Sequence, residues 1–236
     1  MIYNADCLDV LATLPDNSID AVVTSPPYNK KGLLGKKGKG NQVWDKHEIT
    51  YNSYEDNLPE DTYQKWMVEV LDELWRVVKP NGSIFYNHKP RRHKNTAHLP
   101  FEFVSKSKAP LYQLIVWDRR NSPNLRNDHL VPTTEHLYWL RKDKPKVFRQ
   151  NLNREFVGEV WTIPPKKQNG HPAPFPEQLV NNCLLLSTEE GDVVLDPFMG
   201  SGTTGVAAQN LNRQFIGVEK DKIYYEQAKA RMMANV

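Results

Sequence analysis

Apolar residues along this chain switch between two spacings. Continuous or alternating apolar runs predict strands at 19–24, 83–87, 111–117, 134–141, 192–196 and 214–218. Between them, apolar positions three and four apart predict helices over 62–78, 175–187, 203–211 and 221–233, with a helix or irregular turn at 98–107. In the first of these helices Trp66, Val70, Leu74 and Val77 fall on one side, so Trp66 reads as core. Lys79-Pro80-Asn81-Gly82 supplies a helix-to-strand turn. Strands that alternate with helices predict an α/β fold: a mostly parallel sheet covered on both faces. Two stretches, 30–61 and 143–174, are rich in Gly, Pro, Asn and Lys and hold no period. Irregular segments of that length are usually functional or disordered.

A length of 236 residues suits one domain spanning 1–236, since two would each be short of core. Two cysteines, Cys7 and Cys183, cannot build a disulfide framework, and neither belongs to a Cys-x-x-Cys pair, so no metal site is expected. With no secretory or membrane-spanning run, a cytoplasmic protein with no membrane partner is expected. The net charge of +3 is mild, and its distribution says more. Lys30, Lys31, Lys36, Lys37 and Lys39 are interleaved with glycines, while Lys89, Arg91, Arg92, His93 and Lys94 form a second basic cluster. Arg119, Arg120, Asn121 and Asn124 form a polar cluster after the strand ending at Trp117. The two basic clusters could meet phosphates and the third could take part in target recognition, with a solvated face as the plainer role of each.

Two places carry chemistry. The apolar run 19–23 ends in Thr24-Ser25-Pro26-Pro27-Tyr28. Paired prolines donate no N–H and fix φ, so this stiff turn presents a hydroxyl, carbonyl acceptors around Ser25 and Pro26, and an aromatic ring. Acceptors of that kind suit an exocyclic amino group, and Tyr28 can stack on the base that carries it. The second place is the strand 192–196, the turn Pro197-Phe198-Met199-Gly200-Ser201-Gly202, and the helix opening at Thr203-Thr204. Glycines permit close backbone approach, and a helix start offers N–H groups to an anion. Glu219 ends the next strand about 20 residues on, where a ribose-binding acid belongs. A nucleoside-containing cofactor is expected, and the absence of a Lys after the glycines disfavours a nucleotide triphosphate.

These residues resemble the β group of DNA amino-methyltransferases, which use S-adenosyl-L-methionine. Ser25-Pro26-Pro27-Tyr28 is similar to the catalytic motif of that family, and the run from Asp196 to Thr204 to its cofactor loop. Asn4-Ala5-Asp6-Cys7-Leu8 and the segment 171–179 resemble two further motifs. The resemblance implies a Rossmann-like methyltransferase fold with a seven-stranded sheet and a circularly permuted motif order, the catalytic motif first. It implies that Asp6 reaches the adenine amino group and that the Cys7 backbone touches the ring. It further implies that Phe198 packs on the cofactor, that Gly200, Ser201, Gly202, Thr203 and Thr204 receive the methionine part, and that Glu219 holds the ribose. Asp196 joins this set, with loop orientation as its plainer role, and helix capping is the plainer role for Asp6.

The expected reaction is direct methyl transfer to an exocyclic nitrogen of a flipped base in double-stranded DNA, with no covalent enzyme–base adduct. Ser25 resembles the cytosine-N4 group, while Asn29 is a feature of many adenine-N6 enzymes and keeps that alternative open. An RNA amino-methyltransferase and a non-catalytic DNA-binding module are the remaining alternatives. Loops 30–61 and 143–170 are the candidates for reading DNA, with Arg149, Gln150, Asn151, Asn153 and Arg154 as base-edge candidates. A homodimer is expected by resemblance alone.

Overall fold

The computed structural model of the chain describes residues 1–29, 58–93, 95–120, 130–144, 152–165 and 175–235. Lys30, Lys31, Lys36, Lys37, Lys39, Lys94, Asn121, Asn124, Arg149, Gln150, Asn151 and His171 lie outside them, as do 30–57, 145–151 and 166–170 of the two loops proposed to read DNA.

Strands run at β1 (Ile2–Tyr3), β2 (Ile19–Thr24), β3 (Val78–His88), β4 (Arg91–His93), β5 (Thr96–His98), β6 (Leu111–Asp118), β7 (Thr134–Arg141), β8 (Val160–Thr162), β9 (Val193–Asp196) and β10 (Gln214–Val218). Helices are α1 (Cys7–Leu11), α2 (Glu60–Val77), α3 (Phe101–Val104), α4 (Glu177–Ser187), α5 (Thr203–Asn210) and α6 (Lys222–Met233). Among the described residues eight strands form one sheet in the order β1-β10-β9-β2-β3-β7-β6-β8, where seven were expected. Two of the eight, β1 and β8, lie outside the strands read along the chain; three-residue β8, from a segment read as irregular, adds parallel to the β6 edge, anchored where Trp117 Nε1 donates to the Ile163 carbonyl at 2.7 Å. From β1 through β3 all neighbours are parallel, whereas β7 runs antiparallel to β3 and β6.

All six residues of β2 are buried, as befits a strand covered on both sides, with Asp20 held by Lys79 at 2.7 Å and by Val193 N–H at 2.9 Å. Two separate cores provide that cover. On one face Ala21, Val23 and Phe85 pack with Leu179, Cys183 and Leu184 of α4, Ala207 of α5 and Met232 of α6. On the other, Val22, Ile84 and Tyr86 pack with Leu11 of α1, Phe103 of α3, and Met67, Leu71 and Leu74 of α2. Each fully buried Leu or Met side chain contributes about 1.5–3 kcal/mol. Trp66 is less enclosed than its spacing predicts. It is half-buried at the rim of α2, with Phe198 edge-on at 5.8 Å, while Tyr63 and Met67 take the deep positions.

The connection from β2 through α2 steps outward to β3, and that from β9 through α5 steps the opposite way to β10. Because β2 and β9 are neighbours, the sheet has its topological switch point between them. A crevice opens at the carboxyl ends of strands in such a place.

Candidate active site

Everything that the sequence marked as chemistry leaves the sheet at this one edge. Parallel pairing puts the ends of β1, β2, β3, β9 and β10 together, hence Asn4–Asp6, Ser25–Tyr28, Asn87-His88, Asp196–Gly202 and Glu219. The antiparallel β7 brings its beginning to the same edge, with His136 opposite His88 in register and Glu135 one residue earlier.

On the β9–β10 side, Gly200 turns at φ +50° and donates its N–H to Glu219 Oε2 at 2.9 Å, while Asp221 N–H donates to Oε1 at 2.8 Å. Burial pushes the Glu219 carboxyl up to about 7 even though these two N–H groups pull it down. A carboxylate has about four lone-pair positions, so after two are taken it can still accept from two hydroxyls. Helix α5 starts at Gly202 with no side-chain cap among the described residues, leaving its first N–H groups for an anionic ligand. Phe198 is half-buried beside this loop. A vicinal diol, an aromatic ring and a carboxylate are the parts this donor and acceptor set suits, and S-adenosylmethionine contains all three.

Asp6 lies near the end of β10: two residues before it, Asn4 Nδ2 donates to the Glu219 carbonyl at 2.9 Å. Its Oδ1 caps α1 by accepting from Leu8 N–H at 3.0 Å, and its Oδ2 pairs with Lys220 at 3.0 Å. Cys7 is buried, and burial pushes its thiol up to about 12; burial likewise raises the Cys183 thiol well above its ordinary value. Neither thiol forms a thiolate near neutral pH, so neither offers a nucleophile.

A buried carboxylate joins the two sides of the crevice. Thr24 Oγ1 donates to Asp196 Oδ1 and Thr204 Oγ1 to Asp196 Oδ2, each at 2.7 Å, and Phe198 N–H adds a third hydrogen bond at 3.1 Å. Burial raises the Asp196 carboxyl to about 6 against the pull of these three donors. Asp196 and the Thr204 hydroxyl, expected among the cofactor contacts, thus face inward and fasten the cofactor loop to the end of β2. Thr203 is also buried, its Oγ1 accepting from Arg231 at 3.1 Å.

On the β2 side the double-proline turn holds Ser25 half-buried, with Oγ 2.8 Å from Tyr28 Oη. Tyr28 Oη donates to Glu135 Oε2 at 3.0 Å, and Asn87 Nδ2 donates to both of those atoms, at 2.8 and 3.0 Å. The Tyr28 ring stacks on His88 with centroids 4.3 Å apart. Below the turn, Tyr63 Oη donates to the Pro27 carbonyl at 2.8 Å, so that carbonyl already has a partner.

Two arginines expected to meet phosphates are engaged inside the protein. Arg91 is buried, forks onto both Glu60 oxygens at 2.6 and 2.8 Å, and lies 4.8 Å over the Tyr63 ring. Burial alone would raise the Glu60 carboxyl, but hydrogen bonds from Arg91 and Gln64 hold it below the usual range. Arg119 pairs with Glu135 Oε1 at 3.2 Å and donates to the Pro132 carbonyl at 2.8 Å. Arg92 and Arg120 are the exposed arginines of the two clusters. Asn29 is wholly buried at φ +50°, its Nδ2 donating to the Leu58 carbonyl at 2.9 Å, which makes it part of the scaffold beneath the turn.

Sequence reading passed over Asn87, His88, Glu135 and Tyr63. The first three sit at ends of apolar strands, and a polar residue at a strand end is also what any solvent-facing boundary shows. Only the antiparallel return of β7 brings Glu135 to Tyr28.

Comparison with known proteins agrees with this geometry. Residues 19–230 match the sequence model of a DNA methylase family of the N6/N4 type. The Type II methyltransferase M.BglII of Bacillus subtilis is 31% identical over 261 residues, covering 95% of this chain and 66% of its relative, so the chain spans about two thirds of that protein. Among solved structures, the cytosine-N4-specific PvuII DNA methyltransferase superposes with a TM-score of 0.78 at 23% identity, covering 98% of this chain and 85% of the other. The M1.HpyAVI–SAM complex superposes with a TM-score of 0.66 at 26% identity, covering 98% of both chains. The fold is that of the Rossmann-like DNA methyltransferases, and the chain belongs to the N6/N4 DNA methylase family.

Proposed function

We propose that this protein moves a methyl group from S-adenosylmethionine to an exocyclic amino nitrogen of a flipped base in double-stranded DNA, N4 of cytosine in the first instance. One observation carries the reading: the Ser25–Tyr28 turn and the Gly200–Glu219 pocket flank one switch point, tied together through Thr24, Asp196 and Thr204. Glu219 holds the ribose hydroxyls, the start of α5 and Ser201 receive the methionine end, and Phe198 packs on the adenine beside Asp6. S-adenosylmethionine, when bound, supplies a methyl group on a positively charged sulfonium.

The protein's task is the amine, whose lone pair is conjugated with its ring. Ser25 Oγ and the Pro26 carbonyl accept hydrogen bonds from it, favouring a pyramidal nitrogen with an available lone pair. Tyr28, backed by His88, forms a stiff wall for the extruded base. The high thiol values of Cys7 and Cys183 favour direct transfer without an adduct. Ser25 favours cytosine, and the structural employment of Asn29 takes weight from the adenine alternative.

The chain works as one domain, 1–236, in the cytoplasm of a bacterium, archaeon or phage host, with 30–61 and 143–170 reading DNA. None of the described helices is long and apolar enough to cross a membrane. A homodimer is the expected assembly, and light scattering tests it. The deciding experiment is incubation with labelled S-adenosylmethionine and unmodified genomic DNA, then nucleoside analysis. N4-methylcytosine is expected. N6-methyladenine alone moves the assignment to the second base, and label in structured RNA alone moves it to another substrate. Absence of both transfer and cofactor binding overturns it.

A further inference from the structure

Glu135 is buried beside Tyr28, and it orders the hydrogen bonds around it. An ionised carboxylate can only accept. Arg119 faces its Oε1 at 3.2 Å, and its Oε2 accepts from Tyr28 Oη and from Asn87 Nδ2, each at 3.0 Å. The carboxylate thereby sets the Asn87 amide orientation, and the second amide hydrogen points at Tyr28 Oη, 2.8 Å away. Tyr28, having given its one hydrogen to Glu135, can only accept from Ser25 Oγ at 2.8 Å. The serine hydrogen is therefore directed at Tyr28; Asn87 Nδ2, 3.4 Å away, faces one Oγ lone pair and leaves the other for a further donor.

We propose that Glu135 is a positioning residue for the transfer: through Tyr28 it fixes Ser25 Oγ as a hydrogen-bond acceptor toward the target amine, and it is the terminus for the proton that amine gives up. This rests on the reading of Ser25 as the amine's partner. As the new carbon–nitrogen bond forms, an N–H bond breaks. The proton passes to Ser25 Oγ, the serine hydrogen to Tyr28 Oη, and the tyrosine hydrogen to Glu135 Oε2. Ser25 and Tyr28 end as they began, the amine has lost one proton, and Glu135 has gained one.

In E135Q, a neutral amide facing Arg119 turns its carbonyl to the guanidinium and its NH₂ to Tyr28. That reverses the chain of donors, and the tyrosine hydrogen swings to Ser25. With unmodified genomic DNA, kcat is expected to fall roughly a hundredfold, the scale of a lost proton-transfer partner. The KM for DNA and the Kd for S-adenosylmethionine should stay within about twofold, since the loss is confined to the transition state. Y28F, which leaves the Glu135–Arg119 pair in place, should lose a similar factor and keeps the test open if E135Q does not fold. The double variant should be no slower than the slower single one, because the two residues act as a unit. Wild-type kcat in E135Q or in Y28F, a change in KM alone, or losses that multiply would overturn the proposal. A wild-type protein that transfers no methyl group brings down the underlying reading and this one with it.

Discussion

Two carboxylates at the crevice are held by burial in opposite relation to their functions, and each gives a pH dependence of known sign. Glu219, raised to about 7, accepts hydroxyl hydrogens best when ionised. Cofactor affinity should therefore weaken as pH falls from about 8 to 6, by at most about tenfold per unit for one linked proton. Calorimetric titration across that range checks it. E219Q should bind roughly 10- to 100-fold more weakly, the cost of losing charge-assisted hydrogen bonds, with a flat pH profile. Asp196 touches no ligand in this reading, and its signature is stability. Its folded value of about 6 lies above the ordinary 3.8, so the folded state holds the proton more tightly. The group's contribution is greatest below pH 3.8 and is lost as pH rises through 6, a change of about 3 kcal/mol at about 1.4 kcal/mol per unit. Urea unfolding of D196N should accordingly show a shallower decline in stability between these limits than the parent does. Glu219 adds a slope of the same sign and remains in both proteins.

At the level of elements, close packing constrains the helix that follows the cofactor loop. A Cβ on Gly205 of α5 would meet Met232 Sδ of α6 and lie 2.9 Å from Phe215 Cε1 of β10. The thioether can move, but the ring is enclosed between strand and helix. G205A should lower stability by about 1–3 kcal/mol through overpacking, even though alanine is the better helix former, and thermal unfolding will show it. The principal strands and helices were legible in the sequence because each keeps its period long enough to register: β2, β6, β7, β9 and β10, and α2, α4, α5 and α6 all fall within a few residues of their predicted ranges. The elements left unread are short. Two-residue β1, the β4–β5 hairpin and three-residue β8 are too brief for a period; β1 and β8 are fixed by pairing with strands far along the chain, whereas five-residue α1 was marked only through its cap, Asp6. Trp66 packs against the core from its rim, a depth that spacing alone leaves open. Helical spacing identifies a face, but only the neighbouring cofactor loop decides that its rim meets Phe198.

For the whole molecule, charge that reaches solvent differs from charge counted along the chain. Arg91 and Arg92 are adjacent, yet β4 turns one into the protein and leaves the other outside. R92A should leave stability unchanged and reduce the salt dependence of DNA binding by about one unit of log–log slope. R91A should lower stability by about 2–3 kcal/mol, because it leaves the Glu60 carboxylate largely buried without its partner. Chemical denaturation together with DNA binding from low to moderate salt separates the two outcomes.

By itself the sequence determined the α/β alternation, the stiff turn at Ser25–Tyr28, the glycine loop and the acid that follows it. These are local properties of period, ring constraint and spacing. Tertiary structure alone decided that β2 and β9 are neighbours, that Asp196 fastens one half of the crevice to the other across 172 residues, and that Glu135 arrives beneath Tyr28. Those facts depend on strand order and direction. Pairing between segments far apart in the chain sets both, and no local pattern encodes which segments will meet.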